Sequence, residues 1–298
     1  MTQQTSPVAN AISHANFHPY KVGDSSKLSA TNAANPARHG QNRQVAEPQN
    51  GDPVLIHQGD YVDRPKVTVV IPALNEAENL PHDLPRIPKW VYEVVLVDGH
   101  STDNTVEVAR QLWPGVVVVP QEGRGKGSAL RTGFAAASGD IIVMLDADGS
   151  TNPAEIPAFI GALLAGADFV KGSRFMQGGG TSDMTILRRL GNWGFTMSVR
   201  LLFGGSFSDL CYGYNAFWRK VVDRLELDAE GFEVETMMNV RALYHGFRIA
   251  EVPSFEEDRV FGESNLRTFP DGWRVLKTIF REWFRVRTIK VTQEAALG

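Results

Sequence analysis

The chain has 298 residues, 43% hydrophobic and 21% charged, which is the composition of a globular protein large enough to bury a sizeable core. A formal net charge of −4 argues against a broad nucleic-acid-binding surface, so no nucleic-acid partner is expected and any positive site must be local. The single cysteine, Cys211, excludes an intrachain disulfide and a cysteine zinc cluster.

Residues 1–62 are rich in Asn, Gln, Ser, Ala and Pro with little apolar periodicity, and are expected to be a disordered N-terminal segment. The opening Met1-Thr2-Gln3-Gln4-Thr5-Ser6 lacks the basic and apolar regions of a secretory signal. No stretch reaches the ~18 apolar residues of a membrane span, the run at 159–170 being interrupted by Asp168. A cytoplasmic location is the expectation.

From Lys66 the texture changes. Short β-branched runs at 67–71, 93–97, 116–119, 140–145 and 169–170 predict strands, and helical spacing at 105–113, 126–137 and 153–165 predicts helices between them. This alternation predicts a mainly parallel sheet flanked by helices, with ligands beyond the carboxyl ends of the strands. An amphipathic run follows at 186–203, an aromatic strand-like run at 212–218 and a helix at 233–244. With no linker between the halves, residues 63–268 read as one domain and 269–298 as a C-terminal amphipathic helix and tail.

Four polar clusters fall at the expected ligand edge. In Pro72-Ala73-Leu74-Asn75-Glu76, the last two residues either contact a nucleoside or cap a helix starting near Ala77. Asp98, before Gly99, either accepts from a ribose hydroxyl or base amine or shapes a turn. Gly123-Arg124-Gly125-Lys126-Gly127 joins flexible backbone to two cations at a helix start, which suits phosphate. It is not a Walker A loop, because Pro120 stands where the first glycine belongs and Gly127 follows Lys126.

The fourth cluster is Asp146-Ala147-Asp148, closing the apolar run Ile141-Ile142-Val143-Met144-Leu145. Alternate side chains of a strand share a side, so the two carboxylates can face one cation. Hard oxygen ligands suit Mg2+ or Mn2+, which fill the rest of their shell with water and phosphate oxygens. The plainer alternative is a turn leading into a helix start at Ser150-Thr151-Asn152-Pro153.

Further along, Lys171-Gly172-Ser173-Arg174 is expected to leave the fifth strand, and Arg188 and Arg189 to open a long helix. These cations either clamp a second anionic group or are simply solvated. Glu233 and Glu235 either favour a helix dipole or orient a sugar hydroxyl. Arg259, in the loop at 257–265, can reach a diphosphate with bidentate geometry. Trp273, Leu276, Ile279, Phe280, Trp283 and Phe284, accompanied by Arg274, Lys277, Arg281, Arg285 and Lys290, form a basic amphipathic helix. Such a helix lies at an anionic membrane surface or packs its aromatic face on the domain.

Six motifs in order resemble family 2 glycosyltransferases of the GT-A fold, most closely the dolichol- or polyprenyl-phosphate mannosyltransferase group, over residues 66–267. They are Val70-Ile71-Pro72-Ala73-Leu74-Asn75-Glu76, Val97-Asp98, Asp146-Ala147-Asp148, Gly172-Ser173-Arg174, Tyr212-Gly213-Tyr214 and Arg259-Val260-Phe261-Gly262-Glu263-Ser264-Asn265-Leu266. The resemblance implies an α/β nucleotide-diphospho-sugar transferase fold and a metal-dependent, inverting hexosyltransferase. Its donor would be GDP-mannose or UDP-glucose, its acceptor a polyprenyl phosphate, and its place the inner face of the cell membrane. The alternatives are a hydroxyl acceptor on a glycolipid or soluble glycan, and a nucleotide-sugar-binding protein without turnover.

Together with the residue readings, the resemblance gives Pro72, Ala73, Asn75, Glu76, Asp98, Lys126 and Ala147 to the nucleotide sugar. Asp146 and Asp148 would hold the metal, Arg259 the departing diphosphate, and Arg174, Arg188, Arg189 and Ser264 the acceptor phosphate. The chain departs from the family pattern at Gly99 (usually a second aspartate), Ser150 (glutamine), Asn192 (serine) and Asn265 (lysine). A phosphate acceptor needs positioning rather than a base, whereas a hydroxyl acceptor needs a carboxylate such as Asp209, Glu233 or Glu235.

Overall fold

The computed structural model describes residues 64–263 and 266–297, with side chains as far as residue 288. The expectations for residues 1–62, Ser264, Asn265 and the side chain of Lys290 lie outside the described residues. The described elements all belong to one unit, Pro65–Gly298.

Strand β1 (Val67–Ala73) is apolar along almost its whole length because it is covered on both faces. It runs parallel to β2 (Glu93–Asp98) on one side and to β4 (Ile141–Met144) on the other, and β3 (Val117–Pro120) pairs parallel with β2. Beyond β4, the sheet continues through β7 (Asn215–Trp218), β5 (Phe169–Ser173) and β8 (Ile249–Pro253), in the order β3-β2-β1-β4-β7-β5-β8. Only β7 is antiparallel to its neighbours. The mainly parallel sheet read from the sequence is therefore present, with one reversed strand inserted. A separate pair, β6 (Gly180–Thr181) and β9 (Phe255–Glu256), completes the strands among the described residues.

The two faces carry separate cores. Val69, Ile71 and Val143 pack with Leu80, Ala109, Ile156 and Phe159, which come from α1 (Leu80–Asp83), α2 (Thr105–Leu112) and α4 (Ile156–Leu164). Val70, Val95 and Ile142 pack with Leu130, Phe134, Val221 and Met237, from α3 (Lys126–Ala136), α6 (Arg219–Leu225) and α7 (Val234–Tyr244). A smaller cluster of Val199, Phe207, Leu210, Val240, Val275 and Ile279 joins α5 (Ile186–Phe203) and α7 to α8 (Thr268–Leu297).

Several local expectations need correction. The first helix starts at Leu80 rather than near Ala77, because Asn75 takes a left-handed turn (φ 57°) and Asn79 spends its side chain on Glu76 and Phe261 instead of capping. Lys171, Gly172 and Ser173 do not leave β5 but form its buried end, where the Lys171 ammonium donates to the Tyr212 carbonyl at 2.7 Å. Only residues 215–218 of the aromatic run form a strand, since Tyr214 turns inward to stack on Phe159. The short α6 and the strands β6, β8 and β9 have too weak a period to be read from the sequence.

Helix α8 packs on the domain, but not through its aromatic face. Asp271, Val275, Thr278, Ile279 and Glu282 are buried, while Phe269, Trp273, Phe280 and Phe284 are exposed. Among the described residues no helix is long and apolar enough to cross a membrane. The helix is tied down by a fully buried ion pair, in which Arg241 of α7 donates to both Glu282 oxygens at 3.0 and 2.8 Å. Removing Glu282 takes two charge-assisted hydrogen bonds from Arg241 but leaves it Asp228 at 2.6 Å, so Glu282→Ala should destabilise the chain by about 2 kcal/mol, read as a lowered midpoint in urea unfolding.

Candidate active site

The carboxyl ends of β1, β2 and β4 lie side by side, and each delivers part of the site. Ala73 is in register with Asp98, the Gly99 amide donates to the Ala73 carbonyl, and the Leu145 amide donates to Val70. Pro72 and Ala73 end β1, and the chain then turns through Asn75, whose side-chain oxygen accepts from the Thr102 amide. Asp98 uses one oxygen on the Ser101 amide at 3.1 Å and remains partly exposed. Gly99 is closely surrounded: a Cβ there would sit 3.1 to 3.3 Å from Gln121, the Ala73 carbonyl and Leu74.

Beyond β4 the alternation expected of Asp146-Ala147-Asp148 is present. Leu145 and Ala147 are buried, whereas the Asp146 and Asp148 side chains remain partly exposed. Each aspartate meets one cation. Lys126, at the N-terminus of α3, lies 2.7 Å from Asp146 and 2.9 Å from Glu235 of α7. Arg259 approaches Asp148 at 3.6 Å and grips both oxygens of Glu76 at 3.1 and 2.9 Å. Ser150 donates through its amide and hydroxyl to Asp148 Oδ1, at 3.1 and 2.6 Å. Gly213 backs this cluster, and a Cβ there would lie 2.9 Å from the Lys126 ammonium and 3.0 Å from Asp146.

These contacts decide several alternatives left open by the sequence. Glu76 points at Arg259 rather than at a helix cap. Glu235 is buried and paired to Lys126, whereas Glu233 accepts from the Gly231 amide. Burial pulls the Lys126 pKa down, but Asp146 and Glu235 outweigh it and hold the ammonium firmly charged. Burial raises the Glu235 pKa, partly offset by Lys126.

The six side chains Glu76, Asp146, Asp148, Glu235, Lys126 and Arg259 carry a formal excess of two negative charges. Among the described residues no group of three or more His, Cys, Asp or Glu side chains is placed to hold a metal ion. Two open carboxylates with that charge deficit fit a hard divalent cation that keeps positions for water and phosphate, rather than a caged structural ion.

The second group of cations has a different character. Arg174 is buried, with Nε and Nη2 on Asp209 at 2.7 and 2.9 Å and Nη1 on Glu256 at 3.0 Å. Arg188 is partly exposed, 3.7 Å from Asp183, and reaches the Leu266 carbonyl at 3.4 Å. Arg189 is exposed, and it and Arg174 flank the Phe175 ring at 5.9 and 6.0 Å. Asn192 is buried and accepts from the Cys211 amide at 3.0 Å, while its Nδ2 has no hydrogen-bond partner among the described residues.

One residue with no signal in the sequence reaches the site. Asp83 of α1 is fully buried, and its Oδ2 accepts from the Gly149 amide at 3.0 Å, one residue past Asp148. Burial pushes its pKa up to about 8, the Gly149 hydrogen bond pulls it down, and Asp148 and Asp146 raise it further.

Against known proteins, the sequence profile of the family described as glycosyl transferase family 2 matches residues 68–226. The chain is 35% identical over 211 residues to a dolichol-phosphate mannosyltransferase of Pyrococcus furiosus, covering 68% of this chain and 59% of that relative. It is 32% identical over 220 residues to the glycosyltransferase AglJ of Haloferax volcanii, covering 72% and 71% of the two chains. The structure resembles glucosyl-3-phosphoglycerate synthase from Mycobacterium tuberculosis, crystallised with Mn2+, UDP and glucosyl-3-phosphoglycerate. The TM-score is 0.60 and the identity 26%, over 73% of this chain and 80% of that one.

The buried Asp83 carboxyl predicts a pH signature. Its folded pKa lies above the ordinary value of 3.8, so the folded state holds the proton more tightly than the unfolded chain. That contribution is whole below pH 3.8 and is lost as pH rises towards about 8. Asp83→Asn carries no such titration, so in metal-free buffer its melting temperature should gain on the wild type steadily from pH 4 to 8. A constant difference across that range would contradict the prediction.

Proposed function

This chain belongs to glycosyl transferase family 2, and from that premise we propose that it is a divalent-cation-dependent, inverting hexosyltransferase acting on a polyprenyl phosphate. The observation that carries the reading is the Asp146 and Asp148 pair, flanked by Lys126 and Arg259 where three parallel strands end. Family membership makes the protein a nucleotide-sugar transferase. The cation, donor and acceptor are the proposal.

In this reading Pro72, Ala73, Asn75, Glu76 and Asp98 border the nucleoside, and Ala147 lies beneath the diphosphate between the two aspartates. Asp146 and Asp148 hold Mg2+ or Mn2+, which neutralises charge on the leaving nucleoside diphosphate when bound. Lys126 and Arg259 add fixed positive charge on either side, Arg259 exchanging Glu76 for the diphosphate as the bond to the sugar breaks. GDP-mannose and UDP-glucose are the two donors to compare.

The acceptor assignment rests on what the carboxylates are doing. Asp209 is buried on Arg174 and Glu235 is paired with Lys126, whereas Glu233 accepts from the Gly231 amide through Oε1 alone and its Oε2 has no hydrogen-bond partner among the described residues, so two of the three base candidates are engaged. An acceptor phosphate is already anionic and needs orientation by cations rather than deprotonation. Arg188 and Arg189 are the accessible cations for it, with Arg174 fixing the Tyr212 ring from 4.7 Å behind them. The matched Pyrococcus relative, a dolichol-phosphate mannosyltransferase, supports a lipid-linked phosphate.

A lipid acceptor fits the outer surface of α5 and α8. Ile186, Leu187, Leu190 and Trp193 of α5 are exposed, as are Phe269 and Trp273 of α8, with Arg189, Arg267, Arg274 and Lys277 among them. Exposed apolar and basic side chains in this mixture suit peripheral attachment at the inner, anionic face of the cell membrane.

The direct test is incubation with Mn2+, polyprenyl phosphate and each donor separately, with lipid products identified by mass spectrometry. A hexosyl-phosphoryl-polyprenol is expected from one donor, and donor hydrolysis without a lipid product would overturn the acceptor assignment. Asp148→Ala should cut product formation by about 100-fold or more with circular dichroism unchanged. Gly213→Ala, which presses a methyl group on the tips of Lys126 and Asp146, should cost about tenfold by shifting both.

A further inference from the structure

We propose that Asp83 is a positioning residue for Asp148: it and the Val260 amide clamp the two polar ends of the peptide that joins Asp148 to Gly149. The inference rests on the reading of Asp148 as a cation ligand, and it adds a residue from a different part of the chain.

The peptide in question has one donor and one acceptor, and both are engaged by distant segments. The Asp148 carbonyl accepts from the Val260 amide at 3.3 Å, and the Gly149 amide donates to Asp83 Oδ2 at 3.0 Å. Asp83 is itself immobilised, because it ends α1 between the fully buried Leu80 and Leu84. Gly149 sits at φ +79°, where only glycine is at ease, and a Cβ on it would lie 2.6 Å from Val260 Cγ2. The turn after Asp148 therefore cannot take another backbone path without losing the clamp.

The rotamer is pinned as well. Ser150 occupies Asp148 Oδ1 twice, leaving Oδ2 on the side of Arg259. Backbone and side chain together present one oxygen in one place, as a carboxylate that ligates a cation must.

The choice of residue at 83 argues for this role. A helix position that only filled the core would be apolar, like its neighbours Leu80 and Leu84. A fully buried carboxyl with Oδ1 lacking any hydrogen-bond partner, close to two other carboxylates, is a costly way to fill space. Its single hydrogen bond is the one to Gly149.

The test is Mn2+ binding by the full chain, read from the electron paramagnetic resonance signal of free Mn2+ with UDP or GDP present. Asp83→Asn keeps an oxygen for Gly149 and should bind within about twofold of the wild type. Asp83→Ala and the bulkier Asp83→Leu remove the acceptor and should weaken Mn2+ by about tenfold or more, with circular dichroism unchanged. Leucine refills the space, so it separates loss of the acceptor from loss of packing. In an Asp148→Ala background, Asp83→Leu should weaken Mn2+ no further. Wild-type affinity in Asp83→Leu would overturn the proposal alone. Absence of Mn2+ binding by the wild type with both nucleotides would overturn the ligand reading of Asp148 and this proposal with it.

Discussion

Charge balance at the carboxyl edge of the sheet is the constraint on which the rest of the structure turns. Lys126 joins Asp146 to Glu235, and Arg259 joins Asp148 to Glu76, so two cations hold four carboxylates drawn from the segments after β1 and β4 and from α7. Carboxylates brought this close repel one another strongly where water is scarce, and the cations make the arrangement foldable. The residual negative charge suits a hard divalent cation. The same interactions therefore serve stability and chemistry, and neither is separable from the loop at 257–263 that carries Arg259.

The sheet explains why these groups meet. Parallel strands all end on the same side, so β1, β2 and β4 each release a polar segment at one rim. The reversed β7 enters between β4 and β5 from that rim, which carries Tyr212-Gly213-Tyr214 across it just before the strand begins. Gly213 then backs the Lys126 cluster, while Tyr212 stands 4.7 Å from the Arg174 guanidinium. One short segment thus borders both the Lys126 and the Arg174 clusters.

The C-terminal helix shows how an amphipathic pattern divides between two tasks. Val275, Ile279 and Glu282 hold α8 to α5 and α7, the charged member being matched by Arg241. Phe269, Trp273, Phe280 and Phe284 stay outside, and Ile186, Leu187, Leu190 and Trp193 of α5 are exposed too. Periodicity alone gave two readings, packing or surface binding, and the structure assigns packing to a face that overlaps the aromatic pattern only at Ile279.

The sequence by itself determined the α/β alternation, the mainly parallel character of the sheet and the place of Asp146-Ala147-Asp148 at a strand end. Such patterns are local, because strand period and helix spacing repeat within a few residues. The family, too, was legible, because its motifs are short and occur in order. Tertiary structure alone decided who partners whom. That Glu235 answers Lys126, that Arg174 is already occupied by Asp209 and Glu256, and that Asp83 reaches the turn after Asp148 are contacts between residues far apart in the chain. No local period encodes them, since a carboxylate on a helix looks the same in sequence whether it faces water or a buried cation.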